Sequence, residues 1–256
     1  MSRARERRVL AALGVVVACW AALGATLPAA RGGHTTADEP QYLLSALSLA
    51  EDRDLDIADE RADERYRPFH RAELPVQEAA RDDGSRVSPH DPLLPAFLAV
   101  PMGIGGWVAA KLALALVAGA LAVALAWVAI HRFRVPRRVA VVVVGACCVA
   151  PPLAVYGTQV YPELPAALVV TIAIGALTGA LTRVQRWVAV ACIVALPWLA
   201  VKYVPVAIAL VVFGGFRLAR TGRVADATRA AAALVVAAAA FAVAHLAWYG
   251  GLTPYA

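Results

Sequence analysis

The chain has 256 residues, 61% hydrophobic and 16% charged, with a mean hydropathy of +0.67. A soluble domain runs at roughly 45–50% apolar and roughly 25% charged, so this composition marks an integral membrane protein and excludes a disordered chain or a small disulfide scaffold. The net charge of +6 argues weakly for a nucleic-acid partner, because the positive charges lie in short loops between apolar runs.

The expected fold is all-α, a polytopic transmembrane bundle of about seven spans. Uncharged runs at 9–30, 112–130, 139–162, 164–182 and 230–248 each approach the roughly 20 residues that cross a bilayer as a helix. The first run could also be a signal peptide, since Leu27, Pro28, Ala29 and Ala30 make a passable cleavage region. Its 22 residues exceed the roughly 7–15 of a signal core, so a retained span is expected. The stretch 187–216 carries Lys202 between Pro197 and Pro205. With Arg3, Arg5, Arg7 and Arg8 inside, one crossing would leave Arg217, Arg220, Arg223 and Arg229 outside. Two short crossings, 187–201 and 203–216, put all four inside with the other short basic loops. Fourteen of the 24 basic residues then face the cytoplasm. Cys19, Cys147, Cys148 and Cys192 fall within spans and have no metal spacing.

Residues 31–92 form a large first outer loop. It holds 15 of the 18 acids against eight arginines. No linker or repeat divides the chain, so 1–256 reads as a single module with this loop over its outer face. Asp38, Glu39, Pro40, Gln41 and Tyr42 lead into Leu43, Leu44, Leu47 and Ala50 at helical spacing. A short amphipathic helix is expected here, lying along the membrane surface. Asp38 or Thr36 could cap it, and Glu39 could serve its dipole. Equally, a carboxylate held there is well placed as a base. Residues 51–67 read as a solvated charge run. Asp52, Asp54 and Asp56 imitate the start of a calcium loop, but Ile57 stands in place of its glycine and Asp63 in place of its glutamate.

The loop closes on Ser88, Pro89, His90, Asp91 and Pro92. The apolar run 93–102 is too short to span, and Gly103, Gly105 and Gly106 break it. A half-inserted helix is expected. These glycines lack the lysine and hydroxyl residue of a phosphate loop. His90 is either a site residue or a local hydrogen-bonding histidine. Glu163, in the run Tyr161, Pro162, Glu163, could be a helix-dipole acid, while Lys202 and Lys111 could be snorkelling rim lysines. The expected topology nevertheless puts Asp38, Glu39, His90, Glu163 and Lys202 at one depth on one side, as acids for proton handling and a cation for an anion.

At these residues the chain resembles the GT-C superfamily of membrane glycosyltransferases, such as the protein O-mannosyltransferases and aminoarabinose transferases. Four features carry the resemblance: the acidic pair Asp38-Glu39 opening the outer loop, the Ser88-Pro89-His90-Asp91-Pro92-Leu93-Leu94-Pro95 return, Tyr161-Pro162-Glu163, and Leu196-Pro197-Trp198 running on to Lys202. The span count matches the N-terminal seven-span module of that family. The resemblance implies sugar transfer from a polyprenyl-phosphate donor to a glycan or protein acceptor outside the cell membrane, with the N-terminus cytoplasmic and membrane lipid as surroundings. It makes Asp38 the general base, with Glu39 or Glu163 orienting acceptor or donor. Lys202 would meet the leaving phosphate, and Tyr42, His90 and Tyr161 would line the substrate site. A single base with a phosphate leaving group means inverting single displacement. No cofactor is implied, and no ligand set is spaced for a divalent metal, though acidic side chains would accept one. Family members usually continue into further spans, so the chain is expected to be an N-terminal module or a minimal member. The competing expectations are a lipid-carrier transporter or flippase, and a non-catalytic scaffold on the same module. A transporter should show repeats and midplane ionisable groups, which the sequence lacks.

Overall fold

A computed structural model describes residues 3–29, 32–81 and 84–254. It is all-α apart from one short ribbon. Ala30 and Arg31, where the first expected span meets the outer loop, lie outside the described residues, as do Tyr255 and Ala256.

The helices are α1 (Arg3–Gly24), α2 (Glu39–Glu51), α3 (Ala58–Ala62), α4 (Leu93–His131), α5 (Arg137–Cys148), α6 (Leu153–Tyr156), α7 (Glu163–Leu177), α8 (Arg183–Leu199), α9 (Val204–Arg220) and α10 (Val224–Tyr249). A 3-10 turn, Val201–Tyr203, precedes α9. Strands β1 (Ala79–Ala80) and β2 (Arg86–Val87) pair antiparallel.

Among the described residues, four helical stretches rather than seven are long and apolar enough to cross a membrane: α1, α4, the 3-10 turn with α9, and α10. They make this a multi-pass membrane protein by length and composition. The other three expected spans contain shorter helices. Pro151 and Pro152 end the run that α5 began, leaving helices of 12 and 4 residues. Helices α7 and α8 have 15 and 17 residues. At about 1.5 Å per residue, fifteen residues reach only some three quarters of a hydrocarbon core about 30 Å thick.

Two expected breaks are present. Gly105 and Gly106 interrupt α4, and Gly106 adopts φ +64°, a conformation that side chains disfavour. Segment 93–104 is thereby re-aimed against 107–131. The stretch 187–216 is two helices, since Ala200 is extended and α9 starts only at Val204. Thr182 and Gln185 form a reciprocal capping box that starts α8.

Helix α1 buries Leu10, Leu13 and Val17 in the cluster that includes Ala118, Leu121 and Ala122 of α4. The crossing depends on glycine: a Cβ on Gly119 would lie 2.5 Å from the Gly14 carbonyl oxygen. Small residues allow such backbone approach. Gly119→Val should therefore cost about 3 kcal/mol, read as a fall in apparent Tm in detergent. An unchanged Tm would mean that α1 does not dock at this position.

One end of the bundle is held by arginines. Arg132 donates to the Gly175 carbonyl at 2.8 Å and Arg217 to that of Leu177 at 2.6 Å. Both satisfy carbonyls at the end of α7. Arg186 pairs with Asp226 at 3.1 Å, and Glu6 meets His131 at 2.8 Å.

The outer loop folds into a cap over the opposite end. Ile57, Tyr66, Phe69 and Leu74 are buried with α2. Helix α2 is consequently buried from Glu39 through Ser48, rather than lying on a membrane surface with one face wet. The following loop wraps the side that periodicity had left polar. Ser48 donates to the Asp54 and Asp56 carbonyls, and its hydroxyl lies 2.9 Å from Asp54 Oδ1. Glu78 is buried but neutralised, with Arg61 at 3.0 Å and Arg86 at 3.6 Å. Glu60 is also buried, and burial with Asp59 beside it pushes its carboxyl up to about 8.

Candidate functional site

The site forms where α2, the 88–92 return, the loop before α7 and the α8–α9 turn meet. Asp38 is the residue before α2, but its side chain makes no capping bond. Its Oδ2 lies 3.7 Å from His90 Nε2, and Oδ1 accepts from Gln77 Nε2 at 3.1 Å. The side chain keeps 46% of its exposure, against 5% for His90. Asp38 thus has a wet face and a held face. Neighbouring His90 keeps its carboxyl below the ordinary aspartate value, opposed by burial and aided by Gln77 and Lys202.

His90 is fixed from several directions. Its Nδ1 lies 2.8 Å from Ser88 Oγ, the Tyr42 ring centroid lies 4.3 Å from its own, and its carbonyl accepts from the Tyr249 hydroxyl at 2.8 Å. Tyr42 also meets Tyr161 edge-on at 6.3 Å, and the Tyr161 hydroxyl lies 3.5 Å from the Thr36 carbonyl.

Glu39 occupies a different environment. It is 1% exposed. Thr36 N donates to Oε2 at 2.8 Å, and Val160 N donates to Oε1 at 2.8 Å. Lys111 Nζ, on α4, lies 3.6 Å from Oε1 and donates to the His34 carbonyl at 2.6 Å. This carboxylate ties three segments together and has no accessible face for a substrate. It is the chain neighbour of Asp38.

Glu163 starts α7 and pairs with Lys202 at 2.5 Å. The lysine side chain is 57% exposed, so it can swing to another anion at little cost. Asp38, Glu39, Tyr42, His90, Tyr161, Glu163 and Lys202 therefore gather at one end of the bundle, Asp38, His90, Tyr42 and Tyr161 as a contiguous chain and Glu163 with Lys202 as a pair.

Several participants escaped the sequence reading. Lys111 looked like a rim lysine but is buried against Glu39. Asp91 accepts from Val201 N at 2.9 Å, and its Oδ1 lies 3.1 Å from Nε2 of the fully buried His245. Burial pushes the Asp91 carboxyl up to about 6. His245 packs with Phe241 and Trp198, at centroid distances of 3.8 and 5.8 Å. An isolated histidine in an apolar run was the available signal. Beside the 88–92 return lies a cavity of about 670 Å³, lined by Arg53, Arg81, Pro92, Leu93, Trp198 and Trp248 among others. Its volume lies within the roughly 300–1,000 Å³ of small-molecule sites.

Chemically, the arrangement offers a partly exposed carboxylate and an exposed cation, with a cavity of mixed charged and apolar lining beyond the 88–92 return. No protein-family model, no curated protein and no solved structure matches this chain.

Proposed function

We propose that the chain is a glycosyltransferase, or its membrane module, moving a sugar from a polyprenyl-phosphate donor to an acceptor outside the cell membrane. The observation that carries this reading is Asp38: a carboxylate kept ionised by His90, half-exposed, and set at the rim of an apolar bundle. An attacking hydroxyl must lose its proton as the anomeric carbon accepts it, and a positioned carboxylate serves as base. The leaving phosphate already carries negative charge and needs a cation. Lys202 supplies it by exchanging Glu163 for the phosphate. The lipid tail follows the apolar wall beside Trp198 and Trp248. A single displacement with Asp38 as its base would proceed with inversion.

The proposed topology places the arginine-held end in the cytoplasm and Asp38 outside. In it α5 with α6, α7 and α8 serve as short crossings beside the four long ones. The spatial segregation supports this: Glu6, His131, Arg132, Arg186 and Arg217 cluster at one end. Asp38, His90, Glu163, Lys202 and Tyr249 gather at the other.

The purified chain in nanodiscs, given a panel of polyprenyl-phosphate pentoses and hexoses together with cell-envelope glycan and protein acceptors, tests the reading. One donor class should be consumed with stoichiometric release of polyprenyl phosphate. Lys202→Ala should raise the donor KM at least about tenfold, the value of one phosphate contact. Absence of consumption across the panel would overturn the enzyme reading and favour a scaffold.

A further inference from the structure

The outer cap contains a second acidic centre that plays no part in the transfer reading. Asp52 follows the last turn of α2, and Asp59 and Glu60 belong to α3. One carboxylate oxygen from each lies within 4.8 Å of the other two. Asp52 and Asp59 are exposed, whereas Glu60 is only 2% exposed. Neither Glu60 oxygen has a hydrogen-bond partner. No ion pair reaches it among the described residues, the nearby Arg65 being engaged by Glu51 at 2.8 Å.

Glu78 provides the contrast within the same cap. It is equally buried, but Arg61 and Arg86 neutralise it. An ionised carboxylate buried without a donor or counter-charge is costly, and such groups are protonated, paired or bound to metal. One Glu60 oxygen lies within 4.8 Å of an oxygen of each of two further carboxylates, a crowding of acids that a cation between them would relieve. Three hard oxygen donors without sulfur or imidazole suit a hard divalent ion. The irregular spacing and open outer side suit calcium, which tolerates flexible geometry and completes its shell with water.

We infer that Asp52, Asp59 and Glu60 form a calcium site that clamps the end of α2 to α3. Of the three residues that imitate a calcium loop in the sequence, Asp52 alone belongs to this group. Asp54 Oδ1 accepts from Asp56 N at 3.0 Å, and Asp56 Oδ1 accepts from Ala58 N at 3.0 Å and Arg86 N at 2.7 Å. Those two carboxylates are committed to the backbone. The cation would hold the far end of the helix whose first turn follows Asp38. The site stands whether or not the chain transfers a sugar.

The test is calcium chloride titration of the full chain in a non-ionic, lipid-free detergent, by calorimetry and by thermal unfolding. One equivalent should bind saturably, with a rise in apparent Tm. Glu60→Gln and Asp52→Asn should each weaken binding at least tenfold. Asp52 is exposed, so its variant keeps the fold and makes the result interpretable even where Glu60→Gln does not. No saturable binding up to about 10 mM, beyond the weakest natural calcium modules, would overturn the site. So would equal binding by wild type and Asp52→Asn, which would place the cation elsewhere.

Discussion

Asp38→Asn should lower kcat for sugar transfer by about 10²–10⁴-fold, the usual contribution of a positioned general base, with donor KM changed little. The amide keeps the shape of the side chain and can still bond Gln77, but it cannot accept a proton from the acceptor. The fold should survive, because the Asp38 side chain is 46% exposed and caps nothing. The pH profile sharpens the prediction. His90 holds the Asp38 carboxyl below its ordinary value, so the base form is present at every pH above that lowered pKa and is lost only as pH falls through it. Loss of the base should therefore depress transfer only once the pH falls below the ordinary aspartate range. An acid limb centred near 6 would instead contradict Asp38 as the base.

Lys111→Met should destabilise the protein by about 3–5 kcal/mol, the range for removing one partner of a buried ion pair. The lysine and Glu39 are 4% and 1% exposed and lie 3.6 Å apart. Methionine fills a similar volume but leaves the carboxylate buried with only neutral donors. The His34 carbonyl loses its donor as well. Expression as monodisperse protein and the apparent Tm would both fall. The double variant Lys111→Met with Glu39→Gln should recover part of the loss, because it removes the uncompensated charge along with its partner. A double variant worse than Lys111→Met alone would mean that Glu39 is held by its backbone donors rather than by the lysine.

Local signals were legible in the sequence. The glycine break at 105–106 and the turn at Lys202 both follow from residues that end helices or from charge balance, so periodicity and topology rules reach them. The span count was less accessible. Hydropathy counts apolar residues, whereas a helix ends where its backbone ends, as at Pro151 and Pro152. Helix α2 shows a different blind spot. Its apolar face was visible, but the burial of Gln41, Ser45 and Ser48 depends on a loop that returns over them. Side-chain pairing at long separation was invisible altogether. Lys111 meets Glu39, and Asp91 meets His245, only because the fold brings distant segments together. The acidic pair Asp38-Glu39 looked uniform in sequence, yet one residue faces water and the other is buried.

The most direct measurement is the anomeric configuration of the sugar formed in a single turnover at saturating donor, with wild type beside Asp38→Asn. Wild type should give product wholly inverted relative to the donor, with free polyprenyl phosphate released in equal amount. Asp38→Asn should bind the donor and give no product on the same timescale. Retained configuration, or undiminished product from Asp38→Asn, would contradict a single displacement with Asp38 as its base.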